Sequence, residues 1–344
     1  MTYARTAADK EPMTPATIRD VARRAQLSVA TVSRALNGFE NVSEDARERI
    51  KSAVKELGYV PHAGARSLSL ARTNAIGVVL PALHGEFFSE IVRGMDRVAS
   101  DRGYFLLLSN MHPESPGGGT AVLRALRGRV DGLLLMAPHV EDHELVEALP
   151  AGLPTLLINT RGQPAGWPGI HLDNAAGAKA VAEHILALGR QRIVHIAGPA
   201  GNIDAQERAE AFRKSIAATG AAELTTVPGD FLEESGERAV NDLLAKGKEF
   251  DAVFAANDNM AIGAMSALRR AGVSVSDEVA VAGFDDIPLA NHMGLTTVSV
   301  RIAELGERAL ERLIGILGGR DDGRDELHAP ELVVRSSTDP GAGA

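Results

Sequence analysis

The sequence predicts a small all-α unit at the N-terminus, followed by a larger α/β unit made of two similar lobes. Apolar residues recur at helical spacing between residues 16 and 60. From residue 75 onward, short apolar runs alternate with helical stretches, which is typical of a parallel sheet with helices on both faces. The strand pattern starts again near residue 190, and 344 residues exceed the usual size of one hydrophobic core. We therefore expect two lobes in the α/β unit.

Charge is distributed unevenly along the chain. Hydrophobic residues make up 45% and charged residues 24%, which is the balance of an ordinary globular protein. Residues 1–72 carry 12 Lys or Arg and 8 Asp or Glu, whereas the remaining residues carry 24 and 37. This asymmetry predicts that the N-terminal unit, and not the acidic remainder, is the part suited to nucleic acid.

Composition also excludes several classes of protein. The chain has no cysteine, which rules out disulfides and thiolate metal sites and is consistent with a reducing cytoplasm. Its histidines lack the paired spacing of a metal site, so we expect neither a metal nor a cofactor. Residues 1–15 are expected to form a flexible tail without a secretion signal. No stretch of about 18 uncharged apolar residues follows, so the prediction is a cytoplasmic protein without a membrane span.

The N-terminal unit is expected to contain three helices, the first two joined by a tight turn. Thr17 and Asp20 have the spacing of a capping box at the start of the first helix. Ser28 is the cap candidate for the second helix, and the third begins near Ser43 and ends at Gly58. Periodicity alone would equally fit a small helical bundle with no role in DNA binding.

The outward face of the second helix favours DNA binding over that alternative. It carries short polar or apolar side chains around one arginine, and none of them is acidic. A guanidinium can bond a guanine edge with two hydrogen bonds, small apolar groups can contact thymine methyls, and hydroxyls can bind phosphate. The candidate DNA-contacting residues of this unit are Thr17, Ser28, Val29, Ala30, Thr31, Ser33, Arg34 and Asn37.

Polar residues follow several predicted strands of the larger unit. Eight strands are predicted, at AIGVVLP, YFLLLSN, VDGLLLM, TLLIN, GIHLD, RIVHIAG, FDAVFAAND and EVAVAGFDD. Asn159, Asn257 and Asp285 come where three of them end, and ligands of parallel sheets bind at the carboxyl ends of strands. For the adjacent Asp258 and Asp286, capping of the following helix is the favoured interpretation.

Several segments resemble one family of transcription regulators, the lactose-repressor/galactose-repressor (LacI/GalR) family. ATIRDVARRAQLSVATVSRALNG resembles its helix-turn-helix opening, and LGYVPHAGARSLSLARTNAIGV resembles its hinge and the first strand behind it. GPAGNIDAQERAEAFR, FAANDNMAIGAM and VAGFDDIPLA resemble its effector-binding segments. The resemblance runs from about Ala16 to Thr338. It implies an all-α helix-turn-helix DNA-binding head and a two-lobed α/β regulatory domain of the periplasmic-binding-protein type.

The resemblance also implies a domain order and a DNA contact in the hinge. It gives a tail at 1–15, the helix-turn-helix domain at 16–60, a hinge at 61–73 and an effector-binding and dimerisation domain at 74–340. Leu68 matches the family's leucine that enters the minor groove at the operator centre, where an apolar wedge kinks the duplex. His62 and Gly64 depart from the family pattern, which leaves a plain flexible linker as the alternative.

For the regulatory domain, the resemblance implies a ligand site built from charged, amide and aromatic groups. The candidates are Asp204, Arg208, Asn257 and Asp285, with Asn159 beside them. Phe231 matches an aromatic residue that stacks on the effector ring, while Phe87 and Phe88 either line the other lobe or belong to the core. Carboxylates, a guanidinium and amides suit adjacent ring hydroxyls, so a sugar or polyol is favoured over a purine-type effector.

The expected function is that of a sequence-specific repressor that binds palindromic operator DNA as a homodimer. A dimer is expected because the chain ends soon after LVVRSSTDP, which leaves no room for the additional helix by which some members of this family form tetramers. The run PESPGGGT predicts a loose loop at Gly117–Gly119.

A sugar-binding protein of a transport system would account for the lobes but not for the N-terminal segment. An enzyme is disfavoured because Asp285 and Asp286, as neighbours on a strand, point in different directions. No nucleophile motif, phosphate loop or metal spacing accompanies them.

Overall fold

The computed structural model describes residues 16–39, 41–60, 72–83, 85–111, 121–160, 166–339 and 341. The predicted tail at 1–15, the hinge residues His62, Gly64 and Leu68, and the loop at Gly117–Gly119 lie outside the described residues. The chain divides into two compact units between Thr73 and Asn74. Within the described ranges, no helix is both long and apolar enough to cross a membrane.

The N-terminal unit consists of helices α1 (Ile18–Ala25), α2 (Val29–Leu36) and α3 (Glu44–Leu57). The predicted capping residues begin each helix: Thr17 and Asp20 form a capping box, and Ser28 and Ser43 accept hydrogen bonds from backbone N–H groups of the first turns. Gly58, at φ +59°, ends α3 in the left-handed region that favours glycine. The small core between the helices includes Val21, Ala22, Ala25, Val32, Ile50 and Ala53.

The larger unit contains strands β1 to β12 and helices α4 to α12 among its described residues. The strands are β1 (Ala75–Leu80), β2 (Phe105–Asn110), β3 (Gly132–Met136), β4 (Thr155–Ile158), β5 (Gly169–Leu172), β6 (Arg192–Ala197), β7 (Glu223–Pro228), β8 (Ala252–Ala255), β9 (Ala280–Ala282), β10 (Thr297–Ser299), β11 (Glu326–His328) and β12 (Glu331–Val333). The helices are α4 (Glu86–Arg102), α5 (Ala121–Ala125), α6 (Asp142–Ala148), α7 (Asn174–Ala187), α8 (Ile203–Thr219), α9 (Glu233–Ala245), α10 (Asp258–Arg270), α11 (Pro288–His292) and α12 (Ile302–Leu317).

Two parallel sheets confirm the two predicted lobes. The first lobe has the strand order β2-β1-β3-β4-β5-β11, and the second has β7-β6-β8-β9. Both sheets therefore begin with the same arrangement, in which the second strand lies outside the first. A short antiparallel pair, β10-β12, completes the unit. Strands β1 and β3 are buried along their whole length, as expected of parallel strands that are covered on both faces.

The C-terminal part of the chain returns to the first lobe, which the sequence analysis did not predict. Helix α12 packs against α4 so closely that a Cβ atom on Gly94 would lie 2.0 Å from the carbonyl oxygen of Ala303. Strand β11 extends the first sheet beside β5. The chain consequently crosses between the lobes three times, after β5, after β10 and after β11.

Candidate functional site

The larger unit contains a cavity of about 350 Å³ at the carboxyl ends of both parallel sheets. Its wall includes residues that come shortly after strands of both sheets, so both lobes contribute. Pro81 and Asn159 follow β1 and β4 of the first sheet, and Asn257 and Asp285 follow β8 and β9 of the second. All eight residues that the sequence analysis named for the regulatory domain line this one cavity: Phe87, Phe88, Asn159, Asp204, Arg208, Phe231, Asn257 and Asp285. Strand-end positions, which indicated Asn159, Asn257 and Asp285, and the family resemblance together identified residues that are up to 198 positions apart in the sequence, from Phe87 to Asp285.

Arg208 is the central cation of the cavity. Its side chain is 4% exposed, and its Nη1 donates to Asp285 Oδ1 at 3.1 Å and to the Ala256 carbonyl oxygen at 2.7 Å. The guanidinium carbon also lies 3.7 Å from the centre of the Phe284 ring, a cation–π contact. These contacts fix the plane of the guanidinium, and Arg208 lines the cavity together with Asp204 and Asp285.

Burial changes the acidity of the two cavity carboxylates. It raises the pKa of Asp285 to about 6, although the Arg208 charge acts to lower it. Burial raises the pKa of Asp204 as well, again against the effect of Arg208. Behind the cavity, burial and then the Asp285 charge raise the pKa of Asp258 well above its ordinary value. The single positive charge of Arg208 therefore faces more than one buried carboxylate, and Asp285 takes up a proton as the pH falls through about 6.

We expect the Asp285 titration to appear in the pH dependence of stability. The pKa of Asp285 is about 6 in the folded protein against an ordinary value of 3.8, so folding favours the protonated carboxyl. Its contribution to the free energy of unfolding is therefore fully present below about pH 4 and is lost as the pH rises through 6. The wild type should lose about 2 kcal/mol of unfolding free energy relative to Asp285→Asn between pH 4.5 and pH 7, which is the larger part of the full titration. Denaturant unfolding of both proteins at equal concentration between pH 4.5 and 7 measures the difference. Parallel stability curves would contradict the raised pKa.

Two capping assignments made from the sequence are wrong. Asn257, and not Asp258, caps α10, because its Oδ1 accepts the N–H of Met260 at 3.0 Å. Asp258 is the first helical residue, and its carboxylate instead accepts from the Ile287 N–H at 2.9 Å and the Thr297 hydroxyl at 2.5 Å. Asp286 pairs with Arg335 at 2.7 Å. Since Asp285 pairs with Arg208 and Asp286 pairs with Arg335, the two carboxylates do not belong to one shared site.

The aromatic wall of the second lobe is held in a strained conformation. Phe231 has φ +70°, which is unusual for a residue other than glycine. Its carbonyl oxygen accepts from Nδ2 of Asn257 at 3.0 Å and lies 3.5 Å from Nδ2 of Asn259. A Cβ atom on Gly198 would lie 2.4 Å from the Phe231 ring, so the glycine provides the space for it. The backbone of Phe231 is thereby held in place, and its side chain lies at the cavity wall.

The first lobe contributes two phenylalanines and an amide. Phe87 and Phe88 pack edge to face with ring centres 5.3 Å apart, and both are half-buried at the cavity wall. They also contact the core, so the two interpretations offered by the sequence are both correct in part. Asn159, at φ +44°, accepts the Leu172 N–H at 2.9 Å through Oδ1. Its Nδ2 is buried without a hydrogen-bond partner, which leaves a donor at the cavity wall.

Sequence reasoning missed further polar residues of the cavity. Asn202, Asp230 and Asn259 also line it, and Asn174 lies directly behind it. Asp230 follows β7, a strand at the sheet edge with polar residues on both faces, so no apolar run indicated it. Asn202 is the N-cap of α8, and that capping position was the available signal. Among the described residues, no group of three or more His, Asp or Glu side chains could hold a metal ion.

In the N-terminal unit, the outward face of α2 is exposed as the sequence predicts. Val29, Ala30 and Arg34 are exposed, and Thr31, Ser33 and Asn37 are partly so. Among the described residues, the side chain of Arg34 hydrogen-bonds within its own helix, from Nε to the Ala30 carbonyl oxygen at 3.3 Å. Arg49 of α3 donates to the carbonyl oxygens of Ala25 and Gln26 and so fixes the turn before α2. The hydroxyls of Thr17 and Ser28 are engaged in helix capping.

Comparison with known proteins gives two family matches. Residues 17–62 match the bacterial regulatory proteins of the lacI family, and residues 182–338 match a periplasmic binding protein-like domain. The ribose operon repressor of Halalkalibacterium halodurans is 36% identical over 333 residues, which cover 94% of this chain and 98% of the relative. The chain belongs to the LacI family of bacterial regulatory proteins.

Other members of the LacI family also match this chain over most of its length. The ribose operon repressor of Escherichia coli K12 is 35% identical over 87% of this chain and 92% of its own length. The transcriptional repressor CytR of the same organism is 31% identical over 96% and 98%. A solved structure of the lac repressor dimer bound to operator and the anti-inducer ONPF has a TM-score of 0.85 at 29% identity, covering 94% of this chain and 99% of that one. A complex of the regulator CelR with cellobiose has a TM-score of 0.67 at 31% identity, with the same coverage.

These matches confirm the family and the fold that the motifs predicted. This LacI-family chain is a transcriptional regulator, and LacI-family regulators are not enzymes. The alternative function, a sugar-binding protein of a transport system, has no support among the relatives.

Proposed function

We propose that this chain is a repressor that binds a palindromic operator as a homodimer and is released from it by a small sugar bound in the cavity. Residues 16–60 act as the DNA-binding domain, 61–73 as the hinge, and 74–340 as the effector-binding and dimerisation domain, behind a tail at 1–15. Action on DNA is in keeping with the cytoplasm as its location. The relatives named as ribose operon repressors support this function, and so does the lac repressor dimer bound to operator.

The observation that carries the proposal is the donor and acceptor inventory of the cavity. Carboxylates of Asp204 and Asp285, the guanidinium of Arg208 and the unpartnered Nδ2 of Asn159 line a volume of about 350 Å³ with aromatic rings beside them. A polar ring with several hydroxyls matches these groups, and the volume suits a monosaccharide. Since the ribose operon repressors are relatives at 35–36% identity, we propose a pentose such as ribose as the effector.

Calorimetric titration of the purified protein with ribose and a panel of other sugars, polyols and nucleobases tests this proposal. We expect one pentose to bind saturably and to weaken the binding of operator DNA in a mobility-shift assay. Because binding couplings are reciprocal, the operator complex should bind that sugar more weakly than the free protein does. Binding of a purine in place of every sugar would contradict the proposed effector class.

The second strand of the first sheet supports the proposed homodimer. Phe105, Leu107 and Leu108 on β2 are 73%, 41% and 46% exposed, which is unusual for a strand of a parallel sheet. β2 pairs with β1 on one side, and within the described residues no strand pairs with its other edge. An apolar edge of this kind favours association unless something covers it. A second copy of the chain is the proposed cover, because the same patch on two copies forms a closed two-fold interface.

Arg34 on the exposed face of α2 is the proposed base-reading residue. Arg34→Ala should relax the preference at one operator base pair by about 1–3 kcal/mol, because a bidentate contact to guanine would be lost. Affinities for the operator and for its single-base variants measure this preference. A uniform loss across all sequences, including non-operator DNA, would instead identify Arg34 as a phosphate contact.

A further inference from the structure

Asn174 lies behind the cavity, at the point where the chain first crosses between the lobes. It is the first residue of α7 and comes two positions after the end of β5. Its side chain is 2% exposed, and it is not among the residues that line the cavity. No pattern in the sequence indicated a role for Asn174.

The carboxamide of Asn174 makes three hydrogen bonds, all to α8. Its Oδ1 accepts from Nε of Arg208 at 2.9 Å, and its Nδ2 donates to Asp204 Oδ1 at 2.8 Å and to Glu207 Oε2 at 2.9 Å. The chemistry of these partners fixes the orientation of the amide, because a guanidinium can only donate and carboxylates accept. One buried amide thus joins two oppositely charged side chains of α8, Asp204 and Arg208, that both line the cavity.

We propose that Asn174 is a positioning residue of the effector site. It holds the Arg208 guanidinium and the Asp204 carboxylate in the arrangement that meets the effector hydroxyls, without touching the effector itself. Arg208 keeps its contacts to Asp285 and the Ala256 carbonyl when the amide is lost, but Nε is then buried without that acceptor. Asp204, which is 7% exposed, likewise loses a donor. This inference rests on the proposed function of the cavity as an effector site.

The test compares Asn174→Ala with a matched control one residue away. Asp173→Ala removes the N-cap of α7, because Asp173 Oδ1 accepts the Ala176 N–H at 2.9 Å, but it leaves the contacts to Asp204 and Arg208 intact. We expect Asn174→Ala to raise the Kd for ribose at least tenfold and Asp173→Ala to raise it less than threefold. Operator affinity without the sugar should stay within threefold of wild type in both. An unchanged Kd in Asn174→Ala, or an equal loss in Asp173→Ala, would overturn the proposal.

Asn174→Asp should make the sugar affinity depend on pH in a way that a purely structural role of Asn174 would not produce. The new carboxyl would face Asp204, Glu207 and Arg208 of α8, with His171 of β5 near Asp204. When ionised, it cannot donate to Asp204 or Glu207 and repels both, whereas its protonated form restores one donor. The ratio of Kd values, Asn174→Asp over Asn174→Ala, should therefore fall at least threefold between pH 8 and pH 5.5. Taking the ratio removes the part of the Asp285 titration that both variants share.

A ratio that stays constant with pH would overturn the positioning role. Failure of the proposed function gives a different result, since wild type and Asp173→Ala would then show no saturable binding of any sugar. Circular dichroism of each variant at each pH confirms that the folded protein is being compared.

Discussion

Replacement of Asp285 by alanine is expected to abolish the sugar response while operator binding without sugar stays within about twofold of wild type. Asp285 lines the cavity, and its Oδ1 accepts from Arg208 at 3.1 Å. The variant loses a carboxylate acceptor for the effector hydroxyls and also releases one constraint on the guanidinium. Hydrogen bonds to charged groups each contribute about 1.5–3 kcal/mol, so two of them correspond to a loss of sugar affinity of about 100-fold or more.

Asp286→Ala is the matched control for that experiment. It removes the neighbouring carboxylate, which pairs with Arg335 and does not line the cavity. Sugar titration and operator titration of both variants separate the two roles. If Asp285→Ala binds sugar like wild type, or if Asp286→Ala loses sugar binding to the same extent, the assignment of the cavity fails.

Leu108→Asp is expected to convert the dimer to a monomer and to lower operator affinity by about 100-fold or more. Leu108 lies on the exposed apolar edge formed by β2, where a buried, unpaired carboxylate in the proposed interface would be strongly unfavourable. A monomer presents one reading helix in place of two, so half of the operator contacts are lost. Sedimentation velocity and operator titration at the same protein concentrations measure both effects.

Leu327→Asp is the corresponding control on the opposite edge of the same sheet. Leu327 lies on β11 and is 65% exposed, more than Leu108 is. The same substitution there should leave the dimer and operator binding unchanged. Sugar binding should persist in both variants, because the cavity lies within one protomer. A dimer that survives Leu108→Asp would rule out β2 as the interface.

Much of the local structure could be predicted because its causes lie close together in the sequence. The capping box of Thr17 and Asp20 depends on residues three positions apart, and the structure contains it as predicted. Each of the eight predicted strands also forms, because an apolar run of this length between turn residues has few other ways to be buried. The positions of Asn159, Asn257 and Asp285 followed from those strands, since polar residues after buried parallel strands meet at one edge.

The same reasoning failed where neighbouring residues compete for one role. Asn257 and Asp258 are both acceptable helix caps, and the sequence favoured capping by Asp258. The Ile287 N–H and the Thr297 hydroxyl decide the outcome, because they provide two donors for the buried Asp258 carboxylate. Those donors come from residues 29 and 39 positions further along the chain. A pattern read over a short window does not contain them.

The sequence by itself determined the order of the two units, the three N-terminal helices, eight of the strands, the family, and eight of the residues that line the cavity. Only the tertiary structure decided that α12 and β11 return to the first lobe and that Asn174 joins Asp204 to Arg208. The physical reason is that hydrophobic periodicity specifies which face of an element is buried, but not which distant element covers it. That choice depends on close contacts such as Gly94 against Ala303, and these exist only once the chain has folded.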